Sequence, residues 1–211
     1  MKRSTLVFVL TALVSQSSFA IGEAAKPLQQ QWDIAKYQTD KAQREKAFES
    51  LAKQAKAIEQ QNPDNAEVLV WEAIILSTYA GEKGGFGALR LAKDAKNRLE
   101  KAAQIDPDVL RGSLYTSLGS LYYQVPGWPL GFGDHEKAES YLKKALALNP
   151  SGIDPNYFYG DFLLEEGEYQ KAILAFKKAL AAPPRPHRPV ADAGRKKEIK
   201  AALAEALSHL P

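Results

Sequence analysis

The sequence predicts an all-α protein built from stacked pairs of helices, and three observations support this fold class. Residues after Pro27 are rich in Ala, Leu, Lys and Glu, which favour helix, and apolar residues recur at spacings of three and four. Pro and Gly interrupt this pattern at intervals. Paired alanines recur with the same punctuation in three copies, which is typical of a solenoid of repeats.

The first 20 residues predict a cleavable export signal. Two basic residues open the chain, residues 6–14 are an apolar run, and Ser18 and Ala20 are the small residues that a signal peptidase requires. The alternative, an uncleaved anchor, is disfavoured because the run is shorter than the roughly 20 residues that span a bilayer. No Cys follows for a lipid anchor. We therefore expect a periplasmic protein that begins at Ile21 and does not insert into the membrane after cleavage.

Composition argues against several classes of function. The chain has 28 basic and 25 acidic residues, and removing residues 1–20 takes away two basic residues, which leaves 26 against 25. This balance gives little attraction for nucleic acid. The chain has no Cys, and His135, His187 and His209 are scattered, so we expect no metal site. No catalytic or cofactor-binding motif is present, and we expect no cofactor and no enzymatic activity.

Residues 21–63 form the first predicted unit, a pair of helices. The apolar spacing predicts helices over 29–39 and 40–61, and Pro63 ends the second. This segment lacks the paired alanines, so it is interpreted as a divergent N-terminal pair that precedes the repeats.

Residues 64–184 form the second unit, with three repeats. An alanine stands seven residues before another alanine, and five residues further on stands a proline. The three sets are Ala95, Ala102 and Pro107; Ala138, Ala145 and Pro150; and Ala172, Ala179 and Pro184. Alanines seven apart share one helix face and let a second helix approach, while a large residue between them fills the groove. The proline ends the helix.

Residues 153–184 resemble a tetratricopeptide repeat. The consensus positions are occupied by Gly160, Gly167, Tyr169, Ala172, Phe176, Ala179 and Pro184, with departures at Asn156 and Tyr159. The segments 77–81, 125–134 and 154–161 are also similar to exported bacterial tetratricopeptide proteins, a group that includes the T subunit of some TRAP transporters. The resemblance implies a periplasmic interaction module, with a solute-binding partner of such a transporter as its target.

Candidate binding residues come from two sources, the concave face of the repeats and two Gly-Phe-Gly segments at 85–87 and 131–133. Both segments are predicted to be loop insertions between the helices of a repeat. Their aromatic residues form either a lip on a binding cavity or plugs in the helix stack, and the concave-face tyrosines either contact a ligand or fill space between repeats. The candidates are Phe86, Tyr123, Gln124, Trp128, Phe132, Tyr157, Asp161 and Glu165.

Residues 185–211 form the last unit, a Pro-rich connector followed by a capping helix over about 191–210. Its basic cluster is interpreted as the solvated back of that helix, with a docking role as the alternative; the cluster comprises Arg185, Arg188, Arg195, Lys196, Lys197 and Lys200.

The sequence thus predicts a module that binds a partner protein or a small apolar ligand in its concave groove. The alternative function is an accessory enzyme, or a factor that recruits one, acting in the cell envelope. In that alternative Asp161 and Glu165 would serve as acid or base. An enzyme would need converging polar groups in an apolar pocket, and no motif in the sequence supplies them.

Overall fold

The computed structural model describes residues 21–210, and the predicted signal segment, residues 1–20, lies outside them. The described chain is all-α. Its helices are α1 (Lys26–Tyr37), α2 (Lys41–Gln61), α3 (Ala66–Lys83), α4 (Gly85–Ile105), α5 (Ser113–Gln124), α6 (His135–Leu148), α7 (Ile153–Glu165), α8 (Tyr169–Leu180) and α9 (Pro189–Ser208).

Consecutive helices pack as three pairs, α3 with α4, α5 with α6 and α7 with α8, which confirms the predicted solenoid. In addition, α2 packs extensively on α3 and α9 packs on α8, so both flanking units continue the stack. Within residues 21–210, no helix combines the length and apolar character needed to cross a bilayer.

The alanine pairs occupy the closest helix contacts, as their spacing predicts. All six alanines and the large residues between them, Leu99, Leu142 and Phe176, have no exposed surface. The partner helices contribute glycines at these contacts. A Cβ atom on Gly119 would lie 2.6 Å from Leu142 Cγ, and one on Gly160 would lie 2.7 Å from Phe176 Cδ1. A large side chain of one helix therefore packs directly against the backbone of its neighbour.

The first predicted loop insertion is wrong. Helix α3 continues to Lys83 and α4 begins at Gly85, so Gly84 alone separates them and Phe86 lies in the first turn of α4. Gly84 and Gly85 have φ angles of 67° and 60°, a region that glycine enters without a steric penalty. The chain can therefore reverse within two residues. A long inter-helix segment is present only between α5 and α6 among the three described pairs.

Candidate functional site

The two ends of the solenoid meet. The Tyr37 hydroxyl on α1 donates a hydrogen bond to Glu198 Oε2 on α9 over 3.0 Å, and Arg188 forms an ion pair with Asp33. The Arg188 guanidinium also lies 5.8 Å from the centre of the Trp32 ring. We call this contact of α1 with residues 185–198 the seam. Because of the seam, the first and last described helices touch and the helices form a ring.

The ring surrounds a cavity of ≈ 1180 Å³ that is partly open to solvent. It is lined mainly by α1, α3, α5, the start of α7, the segments 106–111 and 149–152, and residues 183–198. One part of its wall is aromatic and consists of Trp32, Tyr37, Trp71, Tyr157 and Phe158. Another part carries hydroxyl and amide groups, from Ser77, Thr78, Ser113, Thr116, Ser117, Ser120 and Gln124. Charged side chains, among them Lys36, Glu82 and Arg188, complete the lining, so the cavity offers apolar contact area together with hydrogen-bonding and charged groups.

The polar wall follows from helical geometry. On α5, residues 113, 116, 117, 120 and 124 are separated by three or four positions, so they lie along one face. The opposite face of α5 carries buried residues such as Leu118 and Tyr122. The sequence contains this amphipathic pattern. From the pattern alone, the polar face would be interpreted as ordinary solvent-exposed surface. Only the closure of the ring makes that face the wall of a cavity.

The interpretation of the basic cluster near the C-terminus as a solvated surface is wrong for its three arginines. Arg195 Nε lies 2.8 Å from Asp154 Oδ1, and Arg185 Nη1 lies 2.5 Å from Asp154 Oδ2. Arg185 also bonds Asp192 over 2.6 Å, and Arg195 bonds Glu198 over 2.6 Å. By contrast, Lys197 and Lys200 are exposed. The sequence could not distinguish these groups because the Asp154 and Asp33 partners lie on α7 and α1.

The electrostatics of this network keep it ionised. Burial by itself would raise the pKa of Asp154, but the neighbouring guanidinium groups of Arg185, Arg195 and Arg188 outweigh burial and hold that pKa well below its usual range. Burial also raises the pKa of Tyr157 to about 12, so its hydroxyl stays protonated at neutral pH. The positive charges of these three arginines are thus already compensated, which disfavours binding of an anion to them.

Of the eight candidate residues, Gln124 and Tyr157 line the cavity. Tyr123 is 4% exposed, and its ring packs edge-on against Phe162, so its predicted position on the concave surface is wrong. Its hydroxyl donates to Asp161 Oδ2 over 2.6 Å. This position agrees with the alternative in which Tyr123 fills space between repeats.

Asp161 and Glu165 lie one turn apart on α7, and neither lines the cavity. Burial raises the pKa of Asp161, although the Tyr123 hydroxyl opposes that rise. Burial, followed by the nearby Asp161 carboxylate, raises the pKa of Glu165. These are mutually interacting carboxyl groups beside packed aromatic side chains, and no local pattern in the sequence indicates this apolar setting.

The segment from Val125 to Asp134 is a tightly folded loop. Gly133 N donates to Pro126 O over 3.0 Å, and a Cβ atom on Gly133 would overlap the carbonyl oxygen of Val125. The Phe132 ring is partly buried and meets Tyr122 edge-on, with 5.5 Å between ring centres. Phe132 therefore plugs the helix stack, as the alternative interpretation has it.

Trp128 and Phe86, by contrast, are 90% and 95% exposed. Together with Phe132, they are absent from the lining of the cavity. The structure therefore does not bring the three aromatic residues together as a lip on this cavity. Any binding role of Trp128 and Phe86 stays a prediction.

We expect Phe132→Ala to lower the free energy of unfolding by about 1–2 kcal/mol, because its ring is only partly buried against Tyr122. Trp128→Ala in the same loop should change it by less than about 0.5 kcal/mol, since that side chain is exposed. Urea denaturation measures both. Equal losses for the two variants would contradict the plug assignment of Phe132.

Sequence reasoning missed the residues that dominate the cavity wall. Trp71 is 4% exposed. Its indole nitrogen is buried and has no hydrogen-bond partner among the described residues. The Arg188 guanidinium lies 5.2 Å from the centre of its ring. Trp71 stands within a long apolar stretch of α3, which is typical of core, so periodicity carried no signal of a site. Within residues 21–210, no cluster of three or more potential metal ligands occurs.

Comparison with known proteins agrees with the all-α solenoid fold. Residues 130–193 match the tetratricopeptide repeat family. The crystal structure of TTC0263, a thermophilic tetratricopeptide protein of Thermus thermophilus, is similar over 87% of this chain and 97% of its own, with a TM-score of 0.57 and 16% identity. No curated protein matches the sequence significantly.

Two further structures resemble the chain less closely. MamA 41-end from Desulfovibrio magneticus RS-1 covers 90% of this chain and 94% of its own, with a TM-score of 0.47 and 18% identity. YrrB, described as a tetratricopeptide protein with an unusual peptide-binding site, covers 91% and 94%, with a TM-score of 0.42 and 16% identity. At such scores, neither resemblance says anything further about the present chain.

The described chain is an all-α solenoid of tetratricopeptide type, a fold that serves in general as a scaffold for interaction with other molecules. The likeness to solved structures extends to the fold alone. The similarity to TRAP transporter T subunits stays a prediction from the sequence.

Proposed function

We propose that the protein is an exported binding module whose central cavity holds a small, uncharged and largely apolar ligand. The observation that carries this proposal is the cavity of ≈ 1180 Å³ inside the ring. Its volume slightly exceeds the roughly 300–1,000 Å³ of typical ligand sites. The aromatic side chains supply contact area, and the hydroxyl groups of α5 supply a few hydrogen bonds that orient the ligand.

The charges around the cavity support an uncharged ligand. Arg185, Arg188 and Arg195 already have carboxylate partners, so an anion would have to compete with Asp154 and its neighbours. A cation would meet the paired guanidinium groups that lie over the aromatic rings, for example Arg195 at 4.4 Å from the centre of the Tyr157 ring. An apolar ligand avoids both costs.

A cavity-filling substitution tests the ligand site. Ser120 lies on α5 and lines the cavity, whereas Ser140 is an exposed residue of α6 that does not. We expect Ser120→Trp to weaken binding of the neutral fluorophore N-phenyl-1-naphthylamine by roughly tenfold or more, because the indole occupies ligand volume. Ser140→Trp should leave the affinity unchanged. Fluorescence titration of the mature protein measures both, and equal affinities would contradict the proposed site.

Export is the second part of the proposal and is supported by the pattern of residues 1–20. Expressed in a Gram-negative host, the protein should be recovered from the periplasm with Ile21 as its first residue. N-terminal sequencing of fractionated cells measures this. Recovery of the chain from the cytoplasm with Met1 intact would contradict it.

The natural partner follows from the same proposal. By its resemblance to the T-subunit group, the protein would serve as an accessory of a TRAP-type solute transport system and interact with that system's solute-binding protein. A pull-down from periplasmic extract with the mature protein, followed by mass spectrometry, tests this. Absence of any solute-binding protein from the captured set would contradict the association while leaving the ligand proposal intact.

A further inference from the structure

The described helices form two layers that differ in charge. No residue of α2, α4, α6 or α8 lines the cavity, so these four described helices form the outer layer of the ring. They carry sixteen basic and seven acidic residues, whereas the inner helices α1, α3, α5 and α7 carry three basic and seven acidic residues. The near balance of charge over the whole chain therefore conceals a basic outer layer.

Several cations of the outer layer are exposed and have no ion-pair partner within residues 21–210. These are Arg90 and Lys93 on α4, and Lys177 and Lys178 on α8. Helix α8 contains no acidic residue at all. Unlike the arginines beside the cavity, these side chains carry charge that is available to a partner.

Large apolar side chains are exposed on the same two helices. Phe86 is 95% exposed, and it shares one face of α4 with Arg90 and Lys93, at spacings of four and three residues. Leu174 is 62% exposed and lies one turn before Lys178 on α8. Each of these faces combines an apolar side chain with cations, as helices that lie on a lipid surface do.

The loop between α5 and α6 adds two more exposed apolar side chains. Trp128 and Leu130 are 90% and 69% exposed. The loop is held against the outer layer, because Lys96 of α4 lies 5.6 Å from the centre of the Phe132 ring and Asp134 caps α6. A tryptophan ring suits the boundary between lipid and water, since it is apolar and its N–H can reach polar headgroups.

We call the exposed side of α4, α6 and α8, together with residues 125–134, the outer face. We infer that the outer face docks peripherally on an anionic lipid surface. Its lysines and arginines attract the lipid phosphates, while Phe86, Trp128 and Leu130 enter the headgroup region. A fluid lipid surface adapts to a convex layer and to apolar side chains that stand apart, whereas a protein partner must match the surface in shape. This docking goes beyond the proposed ligand site and does not depend on it.

Co-sedimentation with vesicles measures the docking. We expect the mature protein to sediment with vesicles of phosphatidylcholine that contain about 30% phosphatidylglycerol, and to stay in solution with phosphatidylcholine alone, because only the former are anionic. About 0.5 M NaCl should release most of the bound protein, since salt screens the attraction. Equal sedimentation with both kinds of vesicle, or with neither, would overturn the inference.

Single charge reversals locate the contact. Lys93→Glu on α4 and Lys178→Glu on α8 should each reduce the affinity for the anionic vesicles by roughly fivefold or more. Lys26→Glu is the matched control, because Lys26 is an exposed residue that lines the cavity and its reversal changes the net charge by the same amount. It should leave the affinity unchanged. Equal reductions in all three variants would show that net charge alone matters, against an oriented outer face.

The fluorescence of Trp128 tests the orientation independently. Bound to anionic vesicles that contain brominated phosphatidylcholine, the parent protein should lose part of its tryptophan emission, because bromine quenches indoles that enter the lipid. In Trp128→Phe the remaining tryptophans, Trp32 and Trp71, are 6% and 4% exposed on the cavity wall, so the bound variant should be quenched little. Equal quenching of the two bound proteins would overturn the inference.

An acidic protein is the other class of partner that a basic surface could bind, and poly-glutamate serves as its probe. Binding to poly-glutamate that Lys93→Glu weakens, without binding to anionic vesicles, would replace the lipid surface by such a protein and overturn the inference. None of these measurements involves the cavity or N-phenyl-1-naphthylamine. A failure of the docking is therefore distinguishable from a failure of the proposed ligand site.

Discussion

Asp154→Asn is expected to lower the free energy of unfolding by about 3 kcal/mol, because two arginines lose the charge that compensates them. The Asp154 carboxylate receives Arg195 on one oxygen and Arg185 on the other. The Arg195 side chain is only 9% exposed, so water cannot replace the missing carboxylate. Asparagine preserves the size of the side chain and therefore isolates the effect of charge. Chemical denaturation at neutral pH measures the loss.

The pH dependence of this loss has a definite sign. The folded-state pKa of Asp154 lies below its ordinary value of 3.8. A group with a lowered folded pKa contributes stability that is present above its unfolded pKa and is lost as pH falls towards its folded pKa. The difference between parent and variant should thus be constant between about pH 5 and 8 and shrink below about pH 4.

Glu139→Gln is the control for this prediction. Glu139 pairs with Lys143 on the exposed side of α6, where both side chains are largely solvated. Such pairs contribute little to stability. If the two variants lose the same amount of stability, or if the Asp154 effect persists unchanged in strong acid, the buried ion network does not hold the C-terminal unit in place.

Phe176→Ala is expected to lower the free energy of unfolding by about 3–5 kcal/mol, the range for removing a fully buried large aromatic side chain. Phe176 has no exposed surface, and its ring lies against the backbone of α7 at Gly160. The cavity left behind cannot collapse easily, because Ala172 and Ala179 on either side are small and also fully buried. Denaturation midpoints and slopes measure the change.

Leu174→Ala is the matched control on the same helix. Leu174 lies two positions away and is 62% exposed, so it points away from the repeat interface. Its replacement should change the free energy of unfolding by less than about 0.5 kcal/mol. A comparable loss for both variants would show that Phe176 does not occupy the buried face of α8.

The contrast between Phe176 and Leu174 is one that the sequence predicts. The spacing of Ala172, Phe176 and Ala179 places them on one helix face, and the recurrence of that spacing identifies the repeats and their number. Local periodicity carries this information, because each repeat buries its apolar face against the next helix along the chain. The same reasoning failed at Gly85–Gly87, where composition indicates a loop but two positive φ angles allow an immediate reversal into α4.

The candidate site was predictable only in part. Gln124 and Tyr157 were identified because they occupy the inner face of repeat helices, and that face does line the cavity. Trp32 and Trp71 were missed, and Arg188 was interpreted as part of a solvated cluster. These three residues come from separate segments of the chain and share no local pattern. Phe132 was a candidate for a lip, but it packs partly buried against the core instead, since Tyr122 provides a partner for its ring.

By itself, then, the sequence determined an all-α solenoid, its repeat spacing and its helix-packing residues, because these depend on contacts between neighbours in the chain. The tertiary structure alone decided that the solenoid closes into a ring with a cavity inside. Closure depends on contacts such as Tyr37 with Glu198, 161 positions apart. How far a stack of helix pairs curves is the sum of many small rotations between repeats, and no single spacing in the sequence records that sum.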